Sequence, residues 1–272
     1  MKIGKIAKYR IISQAIFFVV ANLGFIIGMT GIVYPFFYCY ASPGACASCP
    51  LGIIEHSVSG GMLMAGMFLY VIFFIALVGL VFGRAACGWA CPIGALQDAI
   101  NAVAGKLQTR LNNRAAAVLP SRLPGKMKYV KYGLLAYVVL GSAVLALPTF
   151  TDLCPVGVLT GTFPQLALNP GSFAFGQYFA VGMIIFSLFV ALIVLVGRGW
   201  CRWFCPIGAM FAGTNKISIL KLRLRGDKCV NCNACSKSCP MAINVPEDAE
   251  RNPECILCGR CVDACKFDAL RM

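Results

Sequence analysis

Eight cysteines close the chain in two runs, Cys229-x2-Cys232-x2-Cys235-x3-Cys239-Pro240 and Cys255-x2-Cys258-x2-Cys261-x3-Cys265. Thiolates are soft anionic ligands, and three in a tight loop with a fourth three residues on is the spacing that holds 4Fe–4S clusters in bacterial two-cluster ferredoxins. In that arrangement the fourth thiolate of each run crosses to the other cluster. Cys229, Cys232, Cys235 and Cys265 are therefore expected at one cluster, and Cys255, Cys258, Cys261 and Cys239 at a second. Two zinc sites are the bland alternative, but zinc motifs usually supply two cysteines per loop where each of these supplies four. Lys266 stands where the first run has its proline.

A second pattern is duplicated. Residues 83–95 and 197–209 are identical at nine of thirteen positions at an offset of 114, and each contains Cys-x3-Cys-Pro: Cys87, Cys91 and Pro92, then Cys201, Cys205 and Pro206. Proline suits the first position of a helix, so Cys91 and Cys205 are predicted at helix starts, where unpaired N–H groups favour an anionic ligand. Brought together across a twofold axis, Cys87, Cys91, Cys201 and Cys205 make four thiolates at the cytoplasmic face, a third cluster site. Helix-packing cysteines or a redox-active dithiol pair are the other readings of this quartet. Ile93, Leu96, Ile100 and Val103 at helical spacing predict an amphipathic helix along the membrane surface.

The remaining cysteines, Cys39, Cys46, Cys49 and Cys154, fit either a fourth cluster or two disulfides. Cys49-Pro50-Leu51-Gly52 and Cys154-Pro155-Val156-Gly157 echo each other at an offset of 105, repeating the Cys-Pro grammar of the inner motifs and favouring the cluster. His56, the single histidine, is a weak candidate for taking a quinol proton or ligating a metal.

The elements that must position these groups belong to a membrane. Of 272 residues 59% are hydrophobic and only 12% charged, with mean hydropathy +0.79, which excludes an ordinary soluble domain. Four apolar runs, about residues 11–34, 62–82, 130–150 and 173–196, approach the ~20 residues a span requires. The first is read as a retained anchor, since no cleavage site follows it. All 24 Lys and Arg residues lie in segments 1–10, 83–131 and 197–272, a positive-inside pattern that places both termini in the cytoplasm of a multi-pass inner-membrane protein. The net charge of +14 is thereby topology, and no recognition motif calls for nucleic acid. The fold expected is a membrane all-α protein: four transmembrane helices as two parallel two-helix repeats, residues 1–114 and 115–225, and a small C-terminal two-cluster ferredoxin (α+β) domain, residues 226–272. Trp89, Trp200 and Trp203 are expected in an aromatic belt, and Gly24, Gly28 and Gly31 at a helix-packing face.

With four apolar runs, paired Cys-x3-Cys-Pro motifs and eight terminal ferredoxin cysteines, the chain resembles the membrane-bound ferredoxin-type proteins typified by NapH over nearly its full length. Related modules occur in NosR and CcoG. The resemblance implies electron transfer between membrane quinol and other redox subunits, in the manner of a quinol dehydrogenase. A cluster at the outer cysteines would place redox centres at both faces and allow transfer across the membrane. The alternative, on the likeness to NosR and CcoG, is an assembly or regulatory protein supplying electrons for maturation of another metalloenzyme. The outer cysteines depart from the NapH pattern.

Overall fold

The computed structural model of the chain describes residues 5–36, 38, 39, 41–59, 65–110, 125–145, 150–171, 178–248, 250 and 252–272. The expected boundary at residue 114 and the first residues of the second and fourth expected spans lie outside them.

Helix α1, Lys5–Ala21, continues after a break as a single turn, Gly24–Ile27. Gly28 and Gly31 then adopt φ values of 75° and 72°, the left-handed region that glycine enters at no cost, and the chain leaves the helix. The first apolar segment is therefore Ile6–Ile27, shifted from the expected 11–34. Residues 28–34 run instead beside Cys46–Ser48, with Thr30 N–H donating to Cys46 C=O at 2.8 Å and Tyr34 N–H to Ser48 C=O at 3.1 Å. Gly28 and Gly31 thus end a helix, whereas Gly24 does serve packing: a Cβ there would sit 2.3 Å from the Ala45 carbonyl oxygen.

The remaining membrane part comprises α2 (Pro50–Ser59), α3 (Ala65–Phe82), α4 (Ala85–Trp89), α5 (Pro92–Arg110), α6 (Val130–Leu145), a helical stretch from Pro155 to Leu168 whose Val158–Thr162 turn is π-wound, α7 (Phe179–Leu195), α8 (Gly199–Trp203) and α9 (Pro206–Asn215). Among the described residues three segments are long and apolar enough to cross a membrane: Ile6–Ile27, Ala65–Phe82 and Met127–Leu145. Helix α7, with 17 residues, is a shorter apolar helix of about 26 Å. Their outward faces expose large aliphatic side chains, Ile26 at 83% and Val144 at 82%, as lipid permits and water does not. The chain is a membrane protein.

Short helices fill the space between the long ones. Helices α2 and α9 both pack on α3 and α6, and Gly79 lets α9 close in, since a Cβ there would lie 2.4 Å from the Thr214 hydroxyl. Helix α5 packs against α1 and α7, and buried Arg10 and Arg198 hold its Asp98. The tryptophans form no belt: Trp200 and Trp203 are buried, and half-buried Trp89 donates its indole N–H to Leu257 C=O at 2.8 Å.

The C-terminal unit is ferredoxin-like. Strand β1 (Arg223–Leu224) pairs antiparallel with β2 (Leu270–Arg271), and helices α10 (Ala234–Ser238) and α11 (Arg260–Ala264) follow the two cysteine loops. The loops share one backbone path: Asn231 and Asn233 in the first and Leu257 and Gly259 in the second all have positive φ. This unit is docked on the membrane part. Asp263 accepts from the N–H groups of Ile6 and Ala7 at 3.4 and 3.1 Å, capping α1, and the Ile256 carbonyl oxygen lies 2.3 Å from where a Gly88 Cβ would stand.

Candidate iron–sulfur sites

Pro92 and Pro206 open α5 and α9, which puts Cys91 and Cys205 at two helix starts. The N–H of the residue three on turns to each sulfur: Gly208 N–H donates to Cys205 Sγ at 3.2 Å, and Gly94 N–H faces Cys91 in the same way. Arg84 Nη2 donates to Cys201 C=O at 3.2 Å, while Arg198 Nη1 donates to Cys87 C=O at 3.4 Å, so each arginine binds the other motif. Gly94 and Gly208 make room for this. A Cβ on Gly94 would lie 2.9 Å from Cys87 O, and one on Gly208 would lie 2.9 Å from Arg84 Nη2. All four thiols of the quartet are buried side by side, and Gln97 donates its amide N–H to Cys201 Sγ at 3.2 Å.

Two carboxylates anchor the surroundings. Asp98 accepts from Arg10 at 2.9 Å, Arg198 at 2.6 Å and Arg260 at 3.0 Å, and Glu254 accepts from Arg84 and Lys131. Burial alone would push the Asp98 carboxyl up, but Arg198, Arg10 and Arg260 outweigh it and hold the group below its ordinary value. Glu254 is likewise raised by burial and held down on balance by Arg84 and Lys131. Five cations against two carboxylates leave positive charge beside the quartet, which suits an anionic cluster ligated by four thiolates. Arg84 Nε, buried beside these thiols, has no hydrogen-bond partner among the described residues. Burial pushes the thiols of Cys87, Cys91 and Cys205 up, so iron must displace their protons on binding.

The terminal cysteines separate into two cavities. One is lined by Cys229, Cys232, Cys235 and Cys265; the other by Cys239, Cys255, Cys258 and Cys261. The first set is peripheral, with Cys232 exposed. Of the second, Cys258 shares a buried core with Cys87, Cys91 and Cys205, Cys239 and Cys255 pack against that core, and Cys261 lies in a second one. Burial raises Cys255 to about 11 and pushes Cys239 up as well. Among the described residues no three His, Cys, Asp or Glu side chains close on a single metal ion. Four thiols lining one cavity, three from one loop and one from the other, are the donor set of a 4Fe–4S cluster.

Of the remaining four cysteines the structure brings three together. Cys39, Cys49 and Cys154 line a third cavity, while Cys46 donates to Val20 C=O at 3.0 Å and sits 3.0 Å from the Tyr34 hydroxyl. His56 is exposed on α2 and does not line that cavity. Sequence reasoning missed Asp98, Glu254, Gln97 and Glu55. The scarcity of acids, ten Asp and Glu in all, was the signal that could have found three of them.

This arrangement defines a class: a membrane iron–sulfur protein with paired thiol motifs and an attached dicluster ferredoxin. A 4Fe-4S binding domain model matches twice, at residues 63–110 and 178–225, and a 4Fe-4S dicluster domain model matches residues 221–266. An uncharacterized protein of Methanocaldococcus jannaschii is 28% identical over 222 residues, 82% of this chain and 84% of its own. YccM of Escherichia coli, described as an electron transport protein, is 31% identical over 78% of this chain, which spans only 57% of it. The ferredoxin-type protein NapH of Escherichia coli is 26% identical over 80% of this chain and 72% of its own length. The chain is similar to these ferredoxin-type membrane proteins over most of its length. No solved structure matches it.

Proposed function

We propose that the chain is a membrane iron–sulfur electron-transfer protein that relays electrons between a quinol pool, or a membrane partner, and other redox subunits. The order of the thiol sets carries this reading. A peripheral set with exposed Cys232 is reachable by a partner, a second set is less exposed, and the loop carrying that second set reaches the membrane motifs, its Ile256 carbonyl closing on Gly88 and its Glu254 on Arg84. Cys229, Cys232, Cys235 and Cys265 hold one 4Fe–4S cluster, Cys255, Cys258, Cys261 and Cys239 a second, and Cys87, Cys91, Cys201 and Cys205 a third. Clusters in these positions would supply one-electron transfer, and the protein supplies position and potential.

The residues do the positioning. Gly88 lets the Ile256 carbonyl close on α4, Glu254 ties the second ferredoxin loop to Arg84 and Lys131, and Arg260 joins Asp98. The reading includes four spans as two parallel repeats, with both termini in the cytoplasm of a cell whose inner membrane holds the protein. The doubled family match, the reciprocal arginine contacts and the one-sided distribution of Lys and Arg support it.

The test is iron and acid-labile sulfide per chain in anaerobically purified full-length protein, followed by electron paramagnetic resonance after addition of a soluble quinol. At least about 12 iron atoms are expected, with quinol-dependent reduction and about four lost in Cys205→Ser. Zinc in place of iron, or clusters that quinol leaves oxidised, would overturn the reading.

A further inference from the structure

We propose that Cys39, Cys49 and Cys154 hold a fourth iron–sulfur cluster through three thiolates, with one iron open to a small exogenous ligand. It lies toward the end of the bundle opposite the ferredoxin unit, and its evidence is separate from that for the quinol relay.

The three thiols are free and line one cavity, as the thiols of each ferredoxin set do. Two of them use the device seen in the inner quartet. Cys49 and Cys154 each precede a proline that opens a helix, and the N–H groups of Gly52 and Gly157, three residues on, face their sulfurs. Cys91 with Gly94 and Cys205 with Gly208 do the same. Cys39 arrives from the loop, its sulfur 3.7 Å from where a Gly157 Cβ would stand.

The convergence is built. Glu55, fully buried one and a half turns into α2, accepts from the N–H groups of Phe150 and Thr151 and from the Thr151 hydroxyl, fixing the turn that leads to Cys154. Glu55 and Cys49 share the start of α2, so this clamp brings Cys154 to Cys49. Cys46 is spent on Val20 C=O and Tyr34, and no fourth Cys, His, Asp or Glu lines the cavity among the described residues. A cluster here therefore has one iron without a thiolate.

Two helices measure its depth. On α1, Gln14 donates to Gly88 C=O beside the inner quartet, and Ala21 C=O accepts from Cys46 N–H in the loop that carries Cys49. On α7, Gly182 lies beside Asp152 and Val158, which flank Cys154, and Phe189 meets the ring of Trp200, the neighbour of Cys201. Seven residues on either helix rise about 10 Å, a third of a ~30 Å hydrocarbon core. Both thiol sets dip toward the middle of the bundle, which makes the site the far terminus of a path across the membrane.

The test uses full-length protein purified and reduced anaerobically. Cys154→Ser is expected to hold about four fewer iron atoms per chain than wild type, and Cys46→Ser, which keeps a donor for Val20, the same number. Cyanide added to the reduced wild type is expected to shift the resonance spectrum of one cluster, the one missing from Cys154→Ser. Equal iron in Cys154→Ser, iron loss in Cys46→Ser, or disulfide-linked peptides among the three residues would overturn the site. A spectrum indifferent to cyanide would overturn the open iron. Should Cys154→Ser fail to fold, the wild-type cyanide titration and peptide map decide alone.

Discussion

Arg84 donates to the carbonyl of Cys201, and its repeat equivalent Arg198 donates to the carbonyl of Cys87. Each guanidinium therefore fixes the backbone of the opposite Cys-x3-Cys-Pro motif. The reciprocity fails at the counter-ions. Arg198 pairs with Asp98, but the position 114 residues beyond Asp98 is Ala212, and Arg84 takes its carboxylate from Glu254 in the ferredoxin unit. Docking of that unit completes the charge balance of the membrane site.

Glu254→Gln should loosen this docking. Arg84 and Lys131 are 1% and 0% exposed, and removing the carboxylate of a buried pair costs about 3–5 kcal/mol. Faster hydrogen exchange over residues 252–265 is expected, with a lower unfolding temperature. Exchange at the wild-type rate would show that the contact does not hold the unit in place.

Asp98 should make stability depend on acid. Its folded pKa lies below the unfolded value of about 3.9, so its contribution is complete above that value and is lost as pH falls through the folded one. Melting in detergent followed from about pH 5 down through the folded value should drop more steeply for wild type than for Asp98→Asn, which is less stable at neutral pH. Parallel curves would count against this role.

Gly94→Ala and Gly208→Ala should differ. The first places a methyl 2.9 Å from a backbone oxygen, Cys87 O, which cannot yield; the second meets the end of the Arg84 side chain at the same distance. Overpacking costs typically about 1–3 kcal/mol. The larger destabilisation, and the larger loss of iron, is expected in Gly94→Ala.

Gln97→Leu should lower the midpoint potential of the inner cluster. An N–H donated to a ligand sulfur favours the reduced, more negative state, and a hydrogen bond worth about 1 kcal/mol corresponds to roughly 40 mV for one electron. A redox titration followed by resonance spectroscopy reads the shift. An unchanged potential would leave Gln97 a packing residue.

Much of the site was legible because its information is local. Cysteine spacing brings the terminal thiols into two loops, and their left-handed residues, Asn231 with Asn233 and Leu257 with Gly259, recur at matching positions. The crossed sets that spacing predicts are the sets that line the two cavities. Proline after Cys91 and Cys205 marks helix starts by fixing φ, whatever the surroundings.

What the amino-acid order determined by itself is therefore the thiol grammar, the apolar segments and the internal duplication, all set by spacing, solvent preference and backbone sterics within a few residues. Tertiary structure alone decided which distant groups meet. Cys46 and Cys49 have the same chemistry three residues apart, yet one faces Val20 and the other a cavity, because the neighbouring chain supplies a carbonyl to the first and a helix start to the second. Arg84 and Glu254 are 170 residues apart, and no local preference couples them. Burying a charge in a low-dielectric interior demands a partner, and only the folded chain determines which carboxylate is near enough to be one.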